Sequence, residues 1–118
     1  MTQSKQAHIV AIFTPKPDKV ERVGQLLENQ CRSVHAKEPY CLRFVMTQRT
    51  NLEDNQVEFV LVETYEDRDS IDRHTQEDHF KEMSKAFSEE DGGLLAKKPY
   101  IAFTRSVAGF EFGRELIK

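Results

Sequence analysis

Residues 58–80 read EFVLVETYEDRDSIDRHTQEDHF, and within them a strand periodicity gives way to a helical one. Over residues 58–65, Phe59, Leu61, Glu63 and Tyr65 alternate with Val60, Val62 and Thr64, the period of two that sends successive side chains to opposite faces of a strand. Asp67 then offers a carboxylate cap for a short helix through Arg73. Thr75 with Asp78 three residues on is a second capping signal ahead of Phe80, Met83 and Phe87. The helix is therefore expected to break or restart near Thr75. An acid, a phenol and two imidazoles (Glu63, Tyr65, His74 and His79) gather where one strand end meets one helix.

Upstream, residues 8–14 are rich in Ile, Val and Phe and stop at Pro15 and Pro17, which lack the amide donor that a sheet ladder needs. Val20, Val23, Leu27, Cys31 and Val34, widened by Leu26, then recur at steps of three and four. They predict an amphipathic helix of about five turns, with Pro17 and Asp18 near its start and Pro39 past its end. Leu42, Phe44 and Met46 alternate with Arg43, Val45 and Thr47 in a second strand, joined by a polar turn over 50–55 to the strand at 58–65 in an antiparallel hairpin. Downstream, Gly92 and Gly93 close the last helix, Pro99 ends a loop, and residues 100–107 form a final strand.

The resulting order, β-α-β-β-α-β, is an α+β, ferredoxin-like arrangement with one antiparallel sheet and its helices on one face. Residues 1–118 are expected to form a single domain with its core at about 8–107 and a C-terminal extension over 108–118 that carries Phe110 and Phe112. Every strand also places apolar groups on its other face, so a face-to-face homodimer is expected, with the extension lying across the second subunit.

Hydrophobic residues make up 38% of the chain and charged residues 31%, a globular mix rather than a disordered one. The net charge of −3 is unevenly spread: residues 63–91 hold eleven acidic and four basic side chains. Such an acidic surface repels a phosphate backbone, which argues against nucleic acid as a partner. The apolar runs are strand-sized and the leader over 1–6 is polar, so neither a membrane partner nor secretion is expected and a cytoplasmic location is the default. Cys31 and Cys41 fit neither a redox pair nor a zinc-ligand set; both are read as reduced, with Cys31 buried in its helix.

The element order, together with Glu63-x-Tyr65-x-Asp67 and His74-x4-His79-Phe80 on the predicted strand and helix, resembles the antibiotic biosynthesis monooxygenase family. The resemblance implies a dimeric α+β barrel. It also implies one of several chemistries: oxidation of anthrones or quinols by O2 without metal or flavin, haem degradation, or isomerisation of a phosphorylated signalling sugar. Where haem-degrading members of the family carry a Trp and an iron-binding His, this chain holds Tyr65 and Ser84, and it has no Trp at all. Haem degradation and the Asn/Trp/Arg design of polyketide-oxidising members are therefore disfavoured, and the chain looks closest to the small quinol or signal-processing branch.

A cofactor-independent monooxygenase needs a base to form an electron-rich substrate anion, donors for an oxyanion, and a dry pocket. His79 and His74 suit the base role because an unperturbed imidazole titrates near pH ~6.5. Tyr65 is the candidate oxyanion donor, and Glu63 either orients an imidazole or acts as base itself if burial raises its pKa. Phe59, Leu61, Phe80 and Met83 are the candidate substrate-binding walls, and the partners expected are O2 and a small phenolic, quinol or anthrone-like compound. No cofactor is expected, since Gly92 and Gly93 follow a helix instead of opening one around a phosphate. No metal is expected either: on an unbroken helix His74 and His79 would stand about 140° apart, too far round to share a zinc ion. His8 and His35 are read as ordinary residues, and Arg43 and Arg105 as anion contacts or, more simply, ion-pair partners of Glu58 or Glu63. Two alternatives stay open: a non-catalytic dimeric barrel holding a small hydrophobic ligand, and an isomerase of a small phosphorylated signal molecule, which the acidic local charge opposes.

Overall fold

In the computed structural model, which describes residues 5–51 and 56–117, strand β3 (Gln56–Tyr65) is the spine of the sheet. It pairs antiparallel on one side with β2 (Cys41–Asn51) and on the other with β1 (Ala7–Phe13), whose far edge carries β4 (Tyr100–Thr104). The strand order β2-β3-β1-β4 is the ferredoxin-like one. Register sorts the side chains into rows across the sheet. Phe44, Glu63, Ile9 and Phe103 form one row of the helix-covered face, and Met46, Leu61, Ala11 and Ile101 the next. The opposite face carries the row Val45, Val62, Val10 and Ala102. One carboxylate thus sits in an otherwise apolar row, a placement that governs the chemistry described below.

Three helices cover the first face: α1 (Val20–Lys37), α2 (Arg68–Gln76) and α3 (Asp78–Glu89). A short 3-10 turn over Pro17–Lys19 leads into α1, as Pro permits at a helix start. The buried stripe of α1 includes Val23, Leu27 and Val34. Its approach to β3 is close enough that a Cβ at Gly24 would lie 3.3 Å from Cζ of Phe59. Asp67 caps α2 as its position suggests, accepting hydrogen bonds at 2.8 Å from both the backbone N–H and the hydroxyl of Ser70.

The helical segment does break, but at Glu77 and not through Thr75. Glu77 is extended (φ −68°, ψ 142°) and provides no side-chain cap for α3, because its carboxylate is engaged by the Tyr40 hydroxyl at 3.0 Å. The Thr75 hydroxyl donates instead to the Asp72 carbonyl. Strand β4 ends at Thr104, three residues before the expected Val107: Thr104 pairs with His8, and β1 offers only Ala7 beyond it. Part of the expected turn over 50–55 belongs to β2, which runs to Asn51, and the rest lies outside the described residues, as does most of the leader over 1–6. Cys31 is half-buried rather than buried, and both cysteines are free.

The extension after β4 forms a small hairpin of β5 (Gly109–Phe110) and β6 (Leu116–Ile117). Arg43, expected as a partner of Glu58 or Glu63, lies over the Phe112 ring at 5.7 Å, while Glu58 pairs with Arg49 at 2.7 Å. His8 bridges Thr64 and Ser106, at 2.8 Å on each ring nitrogen. Among the described residues no helix is long and apolar enough to cross a membrane.

Leu27 is fully buried between α1 and the sheet, so Leu27→Ala is expected to destabilise the fold by about 2–5 kcal/mol. Urea denaturation followed by circular dichroism measures this, and an effect within error of zero would show that the α1 interface contributes little.

Candidate active site

Glu38 is the unexpected member of the site. It follows α1 directly, where its backbone N–H donates to the Val34 carbonyl at 2.9 Å and its own carbonyl accepts from Cys41 at 3.0 Å. Its side chain is fully buried and lies between two imidazoles. One carboxylate oxygen accepts from Nδ1 of His74 at 2.7 Å, and the other from Nε2 of His79 at 2.5 Å. His74 ends α2 and His79 begins α3, so the extended Glu77 between them is what lets two helical histidines turn toward one acid. On a continuous helix their angular separation would prevent this.

Burial pushes the Glu38 carboxyl up, but hydrogen bonds and charge from His74 and His79 outweigh it and hold the group below the ordinary carboxylate range. An ionised Glu38 takes the proton of His74 Nδ1 as its hydrogen bond, which leaves Nε2 of a neutral His74 as the lone-pair nitrogen. That nitrogen faces Glu63 Oε1 at 4.0 Å. The His74 ring is nearly enclosed, with centroids of Phe80 at 5.0 Å, Tyr65 at 5.4 Å and Phe44 at 6.1 Å.

Glu63 and Tyr65 share a strand face, and the Tyr65 hydroxyl donates to Glu63 Oε1 at 2.5 Å. Burial in its apolar row raises the Glu63 carboxyl above the ordinary range, against the opposing pull of Tyr65 and His74. Tyr65 is fully buried, and desolvation with the neighbouring Glu63 charge drives its phenol far upward. It is a proton donor at any physiological pH. Cys41, at the same end of the sheet, is pushed up to about 12 by burial and so remains a thiol, without nucleophilic character.

Of the residues singled out from the sequence, Glu63, Tyr65 and His74 meet in one buried network, and His79 joins it through Glu38. His79 also borders an open cleft of about 540 Å³ with Lys37, Asp72, Arg73 and Gln76. Phe80 and Met83 line a different, largely apolar cavity of about 620 Å³ with Phe13, Phe87 and Ile101. Ser84 is on its wall. Phe80 belongs to both places, touching His74 and lining the cavity. The other two do not join it: Leu61 is in the core, and Phe59 packs beside Gly24 on a separate cleft. Among the described residues no group of three or more His, Cys, Asp or Glu side chains has an arrangement that would hold a metal ion.

Glu38 and Tyr40 were not among the sequence candidates. A signal existed: an acid at a helix C-terminus opposes the helix dipole and needs a compensating partner. Tyr40 locks the region by donating to Glu77, stacking beneath Arg73 at 4.3 Å and accepting the Glu66 backbone N–H at 3.0 Å.

Because Glu38 is depressed in the folded state, its contribution to stability is present above the unfolded glutamate value of about 4.3 and is lost as pH falls through the folded value. Glu38→Gln is expected to lower the urea midpoint near neutral pH, with the gap to the parent protein narrowing below about pH 4. A gap that stays constant with pH would mean that the carboxylate acts through shape and not through charge.

The antibiotic biosynthesis monooxygenase family profile matches residues 7–86. No curated protein matches the chain. Among solved structures, a conserved protein from Methanosarcina mazei Go1 is 28% identical, with a TM-score of 0.73 and coverage of 88% of this chain and 95% of that one. Rv0793 from Mycobacterium tuberculosis shares 20% identity at a TM-score of 0.72, covering 86% and 95% of the two chains. A structure described as an antibiotic biosynthesis monooxygenase shares 20% identity at a TM-score of 0.70, covering 86% and 98%. The family match spans well over half of the sequence and includes the strand, the helix break and both histidines, so the chain belongs to the antibiotic biosynthesis monooxygenase family.

Proposed function

We propose that the protein is a homodimeric, cofactor-independent monooxygenase that oxidises a small phenolic, quinol or anthrone-like compound with O2. The observation that carries this reading is the Glu38-anchored His74, whose free nitrogen faces a buried acid and phenol while its ring abuts Phe80, a wall of the apolar cavity. The cavity volume falls within the range of about 300–1,000 Å³ usual for small-molecule sites.

Substrate binds in the cavity, and Phe80 turns aside to give it access to His74. His74 removes a proton from the substrate carbon or hydroxyl, and Glu38 stabilises the imidazolium that forms. Tyr65 donates to the developing oxyanion, its hydroxyl turning from Glu63 to do so. The anion passes one electron to O2, and the radical pair combines in a carbon–oxygen bond. For an anthrone, the resulting peroxide anion takes back the proton from His74; loss of the second hydrogen from that carbon as a proton then cleaves the O–O bond to leave a carbonyl and hydroxide, which that second proton converts to water. His79, bonded to the same Glu38 and bordering the solvent cleft, holds that carboxylate in place while His74 takes up and returns the proton.

The dimer in this reading is formed through the face opposite the helices. Val45 and Tyr100 are exposed there, and Phe112 on the tail hairpin is 91% exposed. Analytical ultracentrifugation should give twice the protomer mass, and a monomer at micromolar concentration would count against the assembly.

The double variant His74→Ala/His79→Ala is expected to reduce oxygen uptake with an anthrone or quinol panel in metal-free buffer by about 10²–10⁴-fold, the usual contribution of a positioned base. Loss of both partners of Glu38 is expected to lower stability, so circular dichroism identifies the temperature range in which the variant is folded and the comparison is made there. Full activity in a folded double variant would reject the assignment, and no uptake by the parent protein with any panel member would favour a ligand-binding barrel.

A further inference from the structure

The apolar cavity has a polar rim of one sign. Its walls are Phe13, Phe80, Met83, Phe87 and Ile101, and Lys97 and Lys98 also line it, both solvent-exposed. Among the described residues no acidic side chain lines the cavity, although residues 63–91 carry eleven acids. Among the described residues neither lysine has an ion pair. The segment before them is firmly held: Leu94 N–H donates to the Phe87 carbonyl at 2.9 Å, Lys16 N–H to the Leu94 carbonyl at 3.0 Å, and Ala96 N–H to the Thr14 carbonyl at 2.7 Å. Pro99 follows and stiffens the other side. Two adjacent ammonium groups are therefore presented at the entrance of an apolar chamber by a pinned backbone.

We propose that the cavity takes an amphipathic anion, an aromatic ring system carrying a carboxylate, with the rings between Phe80, Met83 and Phe87 and the carboxylate at Lys97 and Lys98. This rests on the reading of the cavity as the substrate chamber and narrows the substrate to an acid-bearing aromatic. An apolar chamber alone accepts any ring of the right size; the two cations set which end of the molecule stays at the entrance. They thereby orient the oxidisable carbon inward, toward Phe80 and His74. Positioning of this kind, and not raw affinity, is what an oxidation at one ring carbon requires.

Fluorescence titration with anthracene carboxylate and with its neutral carboxamide separates the terms. The carboxylate should bind the parent protein more tightly than the carboxamide, and the preference should weaken with added salt. Lys97→Ala/Lys98→Ala should weaken carboxylate binding about fivefold, as expected for two exposed charge contacts, with carboxamide binding unchanged. Ser84→Phe, which fills the cavity, should reduce binding of both. Equal affinity for acid and amide, an unchanged acid affinity in the lysine variant, or undiminished binding in folded Ser84→Phe protein would each overturn the proposal. Charge-selective binding without oxygen uptake would uphold it while removing the monooxygenase reading.

Discussion

A single buried carboxylate holds the working end of this protein together. Glu38 stands after a helix whose C-terminal carbonyls already carry partial negative charge, in a position that solvent does not reach. It is tolerable there only because two imidazoles from two other helices donate to it. The same contacts tie the end of α1 to the end of α2 and the start of α3, so the acid that is electrostatically expensive is also the node that fixes the relative placement of three helices. Removing one partner of such a buried group leaves an uncompensated charge, a loss of about 3–5 kcal/mol in comparable cases.

From that node the rest of the site follows. Glu38 sets the proton on His74, His74 presents its other nitrogen to Glu63, and Glu63 accepts the Tyr65 hydroxyl. Two carboxylates in one network are driven in opposite directions, Glu38 down by its imidazoles and Glu63 up by burial. The two acids are thereby set apart in proton affinity within one network. The polar network and the apolar cavity meet at Phe80 alone among the side chains placed in both, so that one ring separates His74 from the cavity.

The elements were legible because their signals are local. Alternation across residues 58–65 placed Glu63 and Tyr65 on the covered face, the three-and-four spacing from Val20 to Val34 marked α1, and Asp67 announced its own cap. Where the reading fell short, the deciding partner was distant in sequence. Thr75 and Asp78 have the spacing of a cap, but Tyr40, 37 residues before Glu77, decides what happens at the break. Glu38 meets His74 and His79 across 36 and 41 residues, and no periodicity reports a contact of that range. The four candidate wall residues likewise share no single surface: Phe80 and Met83 lie on one helix face, whereas Phe59 and Leu61 belong to rows beneath other parts of α1 and the core.

The two margins of the sheet are built unequally. The β2 margin is long but carries Arg43 and Arg49 and is kinked by a register shift between Cys41 and Arg43, devices that discourage unwanted strand pairing. The β4 margin is only five residues long yet leaves Tyr100, Ile101 and Phe103 exposed, shielded in part by Arg68 over the Phe103 ring at 4.3 Å. A further extended chain would therefore add more readily along β4 than along β2, so the tendency to associate through the sheet is set by that one short margin.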